Sequence, residues 1–325
     1  MRALALALVV LGLCSACGSS AAQPARRFVV VTPLGGMSGL SRVESVDARG
    51  RVVRTIARRA FDASVSPDGR LVALDESNGL YVERISGSRP RLLVRSIPDI
   101  WGPASVWSPD SNQLLVAVSG GSRLAVVTVA TGAERLLPLP EKPSVTYTPV
   151  GWSGAAHEIL FEAGSGCCLK RLLVARPTGA SPQEIYAVDA GENDSPYASW
   201  SPDGKRVAYT AEFDDPDWGM GVIDVASGRT TALDNRNQFL QAPVWAPDSS
   251  RFAVGLSVFS NRGVRLYSTG MPSATPVAWT GAGLYLTAES AGSAKLIFAP
   301  TGQNSAETVF SLPHHREFSS VQPLG

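Results

Sequence analysis

The chain has 325 residues, 44% hydrophobic and 18% charged, with 29 Lys and Arg against 28 Asp and Glu for a net charge of +1. That composition excludes an intrinsically disordered chain, which would be poorer in apolar residues, and a polytopic membrane protein, which would be far richer in them. It also shows no basic surplus of the kind that holds nucleic acid, so no nucleic-acid partner is expected.

The amino terminus reads as an export signal. Arg2 gives a short positive region, and residues 3–13 form an apolar run, shorter than the about 20 residues a membrane-spanning helix needs. Ser15, Ala16 and Cys17 follow, then Gly18-Ser19-Ser20. This resembles the lipobox of bacterial lipoproteins, in which the cysteine after a small residue is diacylated and becomes the new amino terminus. One position departs from that pattern. Three places before the cysteine the family prefers Leu, whereas this chain has Cys14, with Leu13 one place early. Cys14 is itself a poor acceptor, because the bulky Leu13 precedes it. The resemblance implies a signal peptide over 1–16, a lipidated Cys17 with a flexible tether over 17–26, and attachment to the extracytoplasmic face of a bacterial membrane. The alternative is a plain secretory signal and a soluble secreted or periplasmic protein. Either way the chain leaves the cytoplasm.

Along the rest of the chain one unit recurs: a small residue or Trp, then Ser-Pro-Asp-Gly or a relic of it, then an alternating apolar strand. Its aligned positions are Ser66, Ser108, Ser153, Ser201, Ala246 and Thr280, spaced 42, 45, 48, 45 and 34 residues apart. A period of about 40–45 residues made of short strands is the signature of four-stranded propeller blades. In each turn Pro presets φ, Asp bonds its own following backbone and Gly accepts positive φ. Residues 28–31, 41–46 and 52–56 read as second, third and outer strands lacking a first, and residues 318–323 as a first strand lacking the rest. Joining them closes a ring, which removes exposed sheet edges. The expectation is an all-β, seven-bladed propeller of four-stranded antiparallel blades over 27–325, closed by both termini. The short last interval leaves six blades as the alternative.

These units resemble the WD-like propeller repeats of the TolB family and of the amino-terminal domain of prolyl oligopeptidase-type peptidases. Trp keeps its place in five copies (Trp107, Trp152, Trp200, Trp245, Trp279) and Pro-Asp in four. The resemblance implies the fold, and it is weak for function, because propellers host unrelated activities.

No catalytic set is evident. A serine hydrolase needs a Gly-x-Ser-x-Gly elbow and a histidine, and Gly36-Met37-Ser38-Gly39 fails that spacing. The three histidines, His157, His314 and His315, form no metal motif, so no metal site, cofactor or catalytic residue is assigned. Cys167 and Cys168 are adjacent, with Cα atoms about 3.8 Å apart, below the usual disulfide range. They are either free thiols or a strained vicinal disulfide, which an exported protein favours. Five tryptophans are explained by the repeat. Trp101, before a first strand, and Trp218, between second and third strands, are not. Both connections belong to one rim, together with Cys167-Cys168, Asp214, Asp215, Asp217, residues 192–197 and Phe239. Aromatics with convergent polar groups suit a binding surface. The expected function is a non-catalytic envelope lipoprotein whose propeller binds or scaffolds a protein or glycan on that rim. The alternative is an envelope enzyme, lactonase- or lyase-like, with a metal-assisted site in the channel.

Overall fold

Short apolar strands separated by Ser-Pro-Asp turns build seven four-stranded antiparallel sheets among the described residues. The computed structural model describes residues 24–35, 39–95, 104–140, 144–165, 169–178, 182–189, 197–211, 219–233, 241–271, 274–290, 293–301, 306–312, 318 and 320–324. Blades 1 to 6 span residues 62–95, 105–136, 145–189, 197–232, 244–268 and 274–311. Blade 7 takes its inner strand, Ser320–Leu324, from the carboxyl end. Its other three strands, Arg27–Pro33, Ser41–Asp47 and Val52–Ala60, come from the amino end. The expected composite blade is therefore present, and seven blades stand. Blade 5 accounts for the short interval: its strands Arg251–Val254 and Ser257–Ser260 are joined through Gly255 and Leu256 alone.

The turns follow from the repeat's side chains. Ser66 Oγ donates to Asp68 Oδ1 at 2.6 Å and accepts the Leu71 amide at 2.9 Å, while the Arg70 amide donates to Asp68 Oδ1 at 3.1 Å. Ser108 with Asp110, and Ser201 with Asp203, repeat this pattern at the same lengths. Hydrogen bonds from Ser108 and the Asn112 amide hold the Asp110 carboxyl below its usual range. Where the fourth residue is Ser rather than Gly, it still adopts positive φ, 62° at Ser111 and 60° at Ser249. That conformation costs about 1–2 kcal/mol without glycine. Each serine offsets part of it across a blade boundary. Ser111 Oγ accepts the Asp68 amide at 3.1 Å, and Ser249 Oγ accepts the Asp203 amide at 2.9 Å.

The repeat tryptophans join the same pairs of blades. Trp107 Nε1 donates to the Ser64 carbonyl and Trp245 Nε1 to the Ser199 carbonyl, both at 3.1 Å. In blade 3 the residue equivalent to these serines is Gly151, and a Cβ there would lie 2.9 Å from Trp200 Cδ1.

The core is divided into seven apolar clusters, each at one blade–blade boundary. Sheets covered on both faces need near-continuous apolar runs, and Leu114–Val118 of blade 2 is buried throughout. At the closing boundary Phe28 of blade 7 is fully buried, with ring centroids 5.6 Å from Tyr285 and 5.7 Å from Phe310 of blade 6. Gln322 secures the other side. Its Oε1 accepts the Val65 amide at 2.5 Å and its Nε2 donates to the Ala63 carbonyl at 3.2 Å. Phe28→Ala is expected to lower stability by about 3–5 kcal/mol, read from urea unfolding curves. A change under about 1 kcal/mol would contradict a closed blade 6–blade 7 boundary.

Candidate functional site

Strand direction assigns the two ends of the ring. The inner strands of blades 1 to 6 each run toward a Pro-Asp turn or its relic, so one face carries those turns. The opposite face, the rim, receives the second-to-third and outer-to-inner connections. The rim residues picked out in the sequence, Trp101, Asp214, Asp215, Asp217, Trp218 and Phe239, lie outside the described residues, as do Cys167, Cys168, Cys17, His314 and His315.

The strand ends flanking these segments are described, and they meet on the rim. Ala211 pairs with Gly219 on either side of 212–218, and Ser165 pairs with Leu169 on either side of 166–168. Beyond 234–240, the Gln241 carbonyl accepts the Thr210 hydroxyl at 3.0 Å. Ala104, which follows 96–103, accepts the Ala117 amide at 3.1 Å through its carbonyl. Tyr197 opens the inner strand of blade 4 opposite Thr210 and is 44% exposed. An exposed aromatic thus stands where three of the unassigned connections begin or end.

A cleft of about 220 Å³ lies beside this arc, between the chain leaving blade 2 and the face of blade 3. Leu139, Val145, Phe161 and Leu173 give it apolar walls, with Arg171 among its lining. Tyr147 fixes one side: its hydroxyl donates to the Pro140 carbonyl at 2.8 Å, and its ring meets Phe161 edge-on at 6.0 Å. Buried Glu162 lies 3.7 Å from Lys170 Nζ on the neighbouring strand.

The channel is lined mostly by small and apolar residues. Across the seven inner strands the described residues include one carboxylate, Asp62, and no histidine. Among the described residues no group of three or more His, Cys, Asp or Glu is placed to hold a metal. His157 is exposed on the turn face at φ 53°. Asp62 sits at the rim end of blade 1's inner strand, where burial pushes its carboxyl pKa up. Its Oδ1 accepts the Ala63 amide at 2.7 Å. On the inner strand of the adjoining blade 7, Ser320 Oγ is buried without a hydrogen-bond partner among the described residues, beside Thr275, Thr287 and Glu289. Sequence reasoning passed over Asp62, Ser320 and the Tyr147 cleft. The one available signal was Asp62 itself, a carboxylate heading a strand otherwise made of small residues.

No family model matches the chain. Solved structures share its fold. TolB from Acinetobacter baumannii superposes over 91% of this chain with a TM-score of 0.54 and 13% identity, and the chain spans 65% of that protein. Puromycin hydrolase superposes over 90% with a TM-score of 0.63 and 17% identity, and the chain spans 53% of it. For an oligogalacturonate lyase solved with manganese, the values are 80% of this chain and 82% of the lyase, a TM-score of 0.56 and 14% identity. What these proteins share with the chain is the propeller.

The raised pKa of Asp62 has a signed consequence. A carboxyl whose folded pKa exceeds its unfolded value of about 4 favours the native state while protonated, and this contribution is lost as pH rises through the folded value. Asp62→Asn keeps an oxygen for the Ala63 amide. It is expected to raise the melting temperature at neutral pH and to leave it nearly unchanged at about pH 3, below both pKa values. Melting curves at the two pH values check this; an equal shift at both would refute the burial argument.

Proposed function

We propose that the protein is an exported envelope lipoprotein, anchored through Cys17, whose propeller is a non-catalytic binding module for a protein or glycan. Its binding surface is the rim over blades 2 to 5. The observation that carries this reading is the convergence on one rim of the strand ends that hold residues 96–103, 166–168, 190–196, 212–218 and 234–240, with exposed Tyr197 among them. Those segments hold the aromatic and acidic residues that the repeat does not explain. Interfaces draw most of their energy from a few aromatic or Arg anchors, and the rim has both beside an apolar cleft. Among the described residues no helix is long and apolar enough to cross a membrane.

A second reading has one observation in its favour: a half-buried carboxyl of raised pKa, Asp62, at the channel mouth. A metal-assisted lyase- or lactonase-like centre there would need further ligands from the rim segments. Metal analysis of the purified protein separates the two readings: a stoichiometric divalent ion that Asp62→Asn releases would favour the enzyme.

The binding reading is tested by crosslinked capture of partners from membranes. Trp101→Ala, Trp218→Asp and Tyr197→Ala are each expected to reduce recovery of the same partner about tenfold or more, the loss of one hot spot of about 2 kcal/mol. Cys17→Ala is expected to release the protein from the membrane fraction. Unchanged capture by all three rim variants, with fold and export intact, sinks the proposal.

A further inference from the structure

The face opposite the rim carries its own pattern. Blade 7 receives its second strand first, and Arg27 pairs with Leu324 at the end of the inner strand. The chain therefore enters the propeller on the turn face. The Ala25 amide donates to the Tyr285 hydroxyl at 2.7 Å, so the residues just before the first strand are held against blade 6 there. From Pro24 back to Cys17 the chain reaches at most about 25 Å even fully extended. An anchor at Cys17 keeps this face close to the bilayer.

On one side of that entry point the turns of blades 7 and 1 are rich in arginine, while on the other Glu307 of blade 6 lines the same pocket as Ala25. Arg49 and Arg51 lie in the third-to-outer turn of blade 7. Arg70 follows blade 1's inner turn, and Arg84, Arg89 and Arg91 surround its third-to-outer turn; all six are exposed. The described turn-face carboxylates on these two blades are Asp47, Asp68 and Glu83. Glu83 is buried and paired with Arg54 at 2.8 Å, while Asp47 and Asp68 are folded back onto their own turns. Asp47 Oδ1 accepts the amides of Arg49 and Arg51 at 2.8 and 2.9 Å, and Asp68 accepts the Ser66 hydroxyl and the Arg70 amide. The Arg70 guanidinium stays 3.9 Å from Asp68. A chain of net charge +1 thus carries a local cationic patch at the place where its tether leaves.

We propose that the turn face of blades 7 and 1 docks on the anionic phosphate headgroups of the membrane that carries the anchor, so that the rim faces away from the bilayer. Guanidinium groups match phosphate oxygens through paired N–H donors. Such attraction decays within about 8 Å at physiological salt, a separation the short tether allows the patch to close. An acyl anchor and a basic patch are the two kinds of signal that together hold a peripheral protein firmly. The orientation rests on the anchoring of Cys17 proposed above; the headgroup binding does not.

Vesicle co-sedimentation tests the patch without the lipid. Cys17→Ala protein is offered phosphatidylglycerol-rich vesicles and neutral phosphatidylcholine vesicles, and the readout is the difference between them, which an apolar leader leaves unaffected. Preferential binding to anionic vesicles is expected, falling at least ~10-fold in the Arg49→Glu, Arg51→Glu, Arg89→Glu, Arg91→Glu variant and in high salt. All four side chains are exposed, and an unchanged melting temperature shows that the variant is folded. Equal binding to both vesicle types, or anionic binding that survives the four substitutions, overturns the proposal. So does retention on a soluble anionic glycan without binding to vesicles, which would assign the patch to a polysaccharide. The anchoring reading fails separately, if mass analysis of membrane-derived protein shows no acyl group on Cys17.

Discussion

Every blade of this protein is apolar on both faces, so none is stable until it has a neighbour on each side. That requirement, more than any single bond, organises the chain. A linear stack would leave two apolar faces open, whereas a ring leaves none. The closing blade must then be assembled from the two ends of the chain, since whichever segments meet last have to cover each other. Phe28 set between Tyr285 and Phe310 does this on one side, and Gln322 bonded to the backbone of blade 1 does it on the other. The strands from the two termini share one sheet, so the last covering step is also the last pairing step.

Closure divides the surface into two kinds of face. On the turn face the polar groups of the repeat are consumed internally, as Ser66, Asp68 and Leu71 illustrate. A substitution there survives when it restores a bond, and Ser111 shows how: it takes the glycine conformation and bridges to the next blade. Rim connections differ in length, from the two residues between Val254 and Ser257 to the longer segments over blades 2 to 5.

Much of the architecture was legible because it is periodic. The Trp and Ser-Pro-Asp positions mark the inner turn of each blade, and residues 28–31 and 318–323 are incomplete in ways that fit together. The short interval before Thr280 was ambiguous, since a missing strand and a two-residue connection shorten a repeat alike. The structure resolves it through Gly255 and Leu256. What the sequence hides are arrangements assembled across blades. Tyr147 and Leu139 share a cleft because the chain turns back between blades 2 and 3, and no local pattern marks that. Asp62 looks like any strand-leading acid until the ring half-buries it. The six arginines near the entry of the chain are spread over 43 positions, from 49 to 91, among five carboxylates and three further arginines. Only the fold shows that they share a face and that the nearby Asp47 and Asp68 accept hydrogen bonds from their own turns.

The separation of the two faces follows from strand parity. Inner strands run from rim to turn face, and second strands run back. Because the amino end supplies the second, third and outer strands of blade 7, the chain begins on a strand that starts at the turn face. Had it supplied all four strands, the first would have started at the rim, and the anchor proposed at Cys17 would have brought the rim to the membrane. Leaving one strand to the carboxyl end therefore does two things at once. It closes the ring, and it places the entry of the chain on the arginine-bearing face, opposite Tyr197 and the unassigned connections. An anchor at that entry leaves the rim open to a partner arriving from the aqueous side.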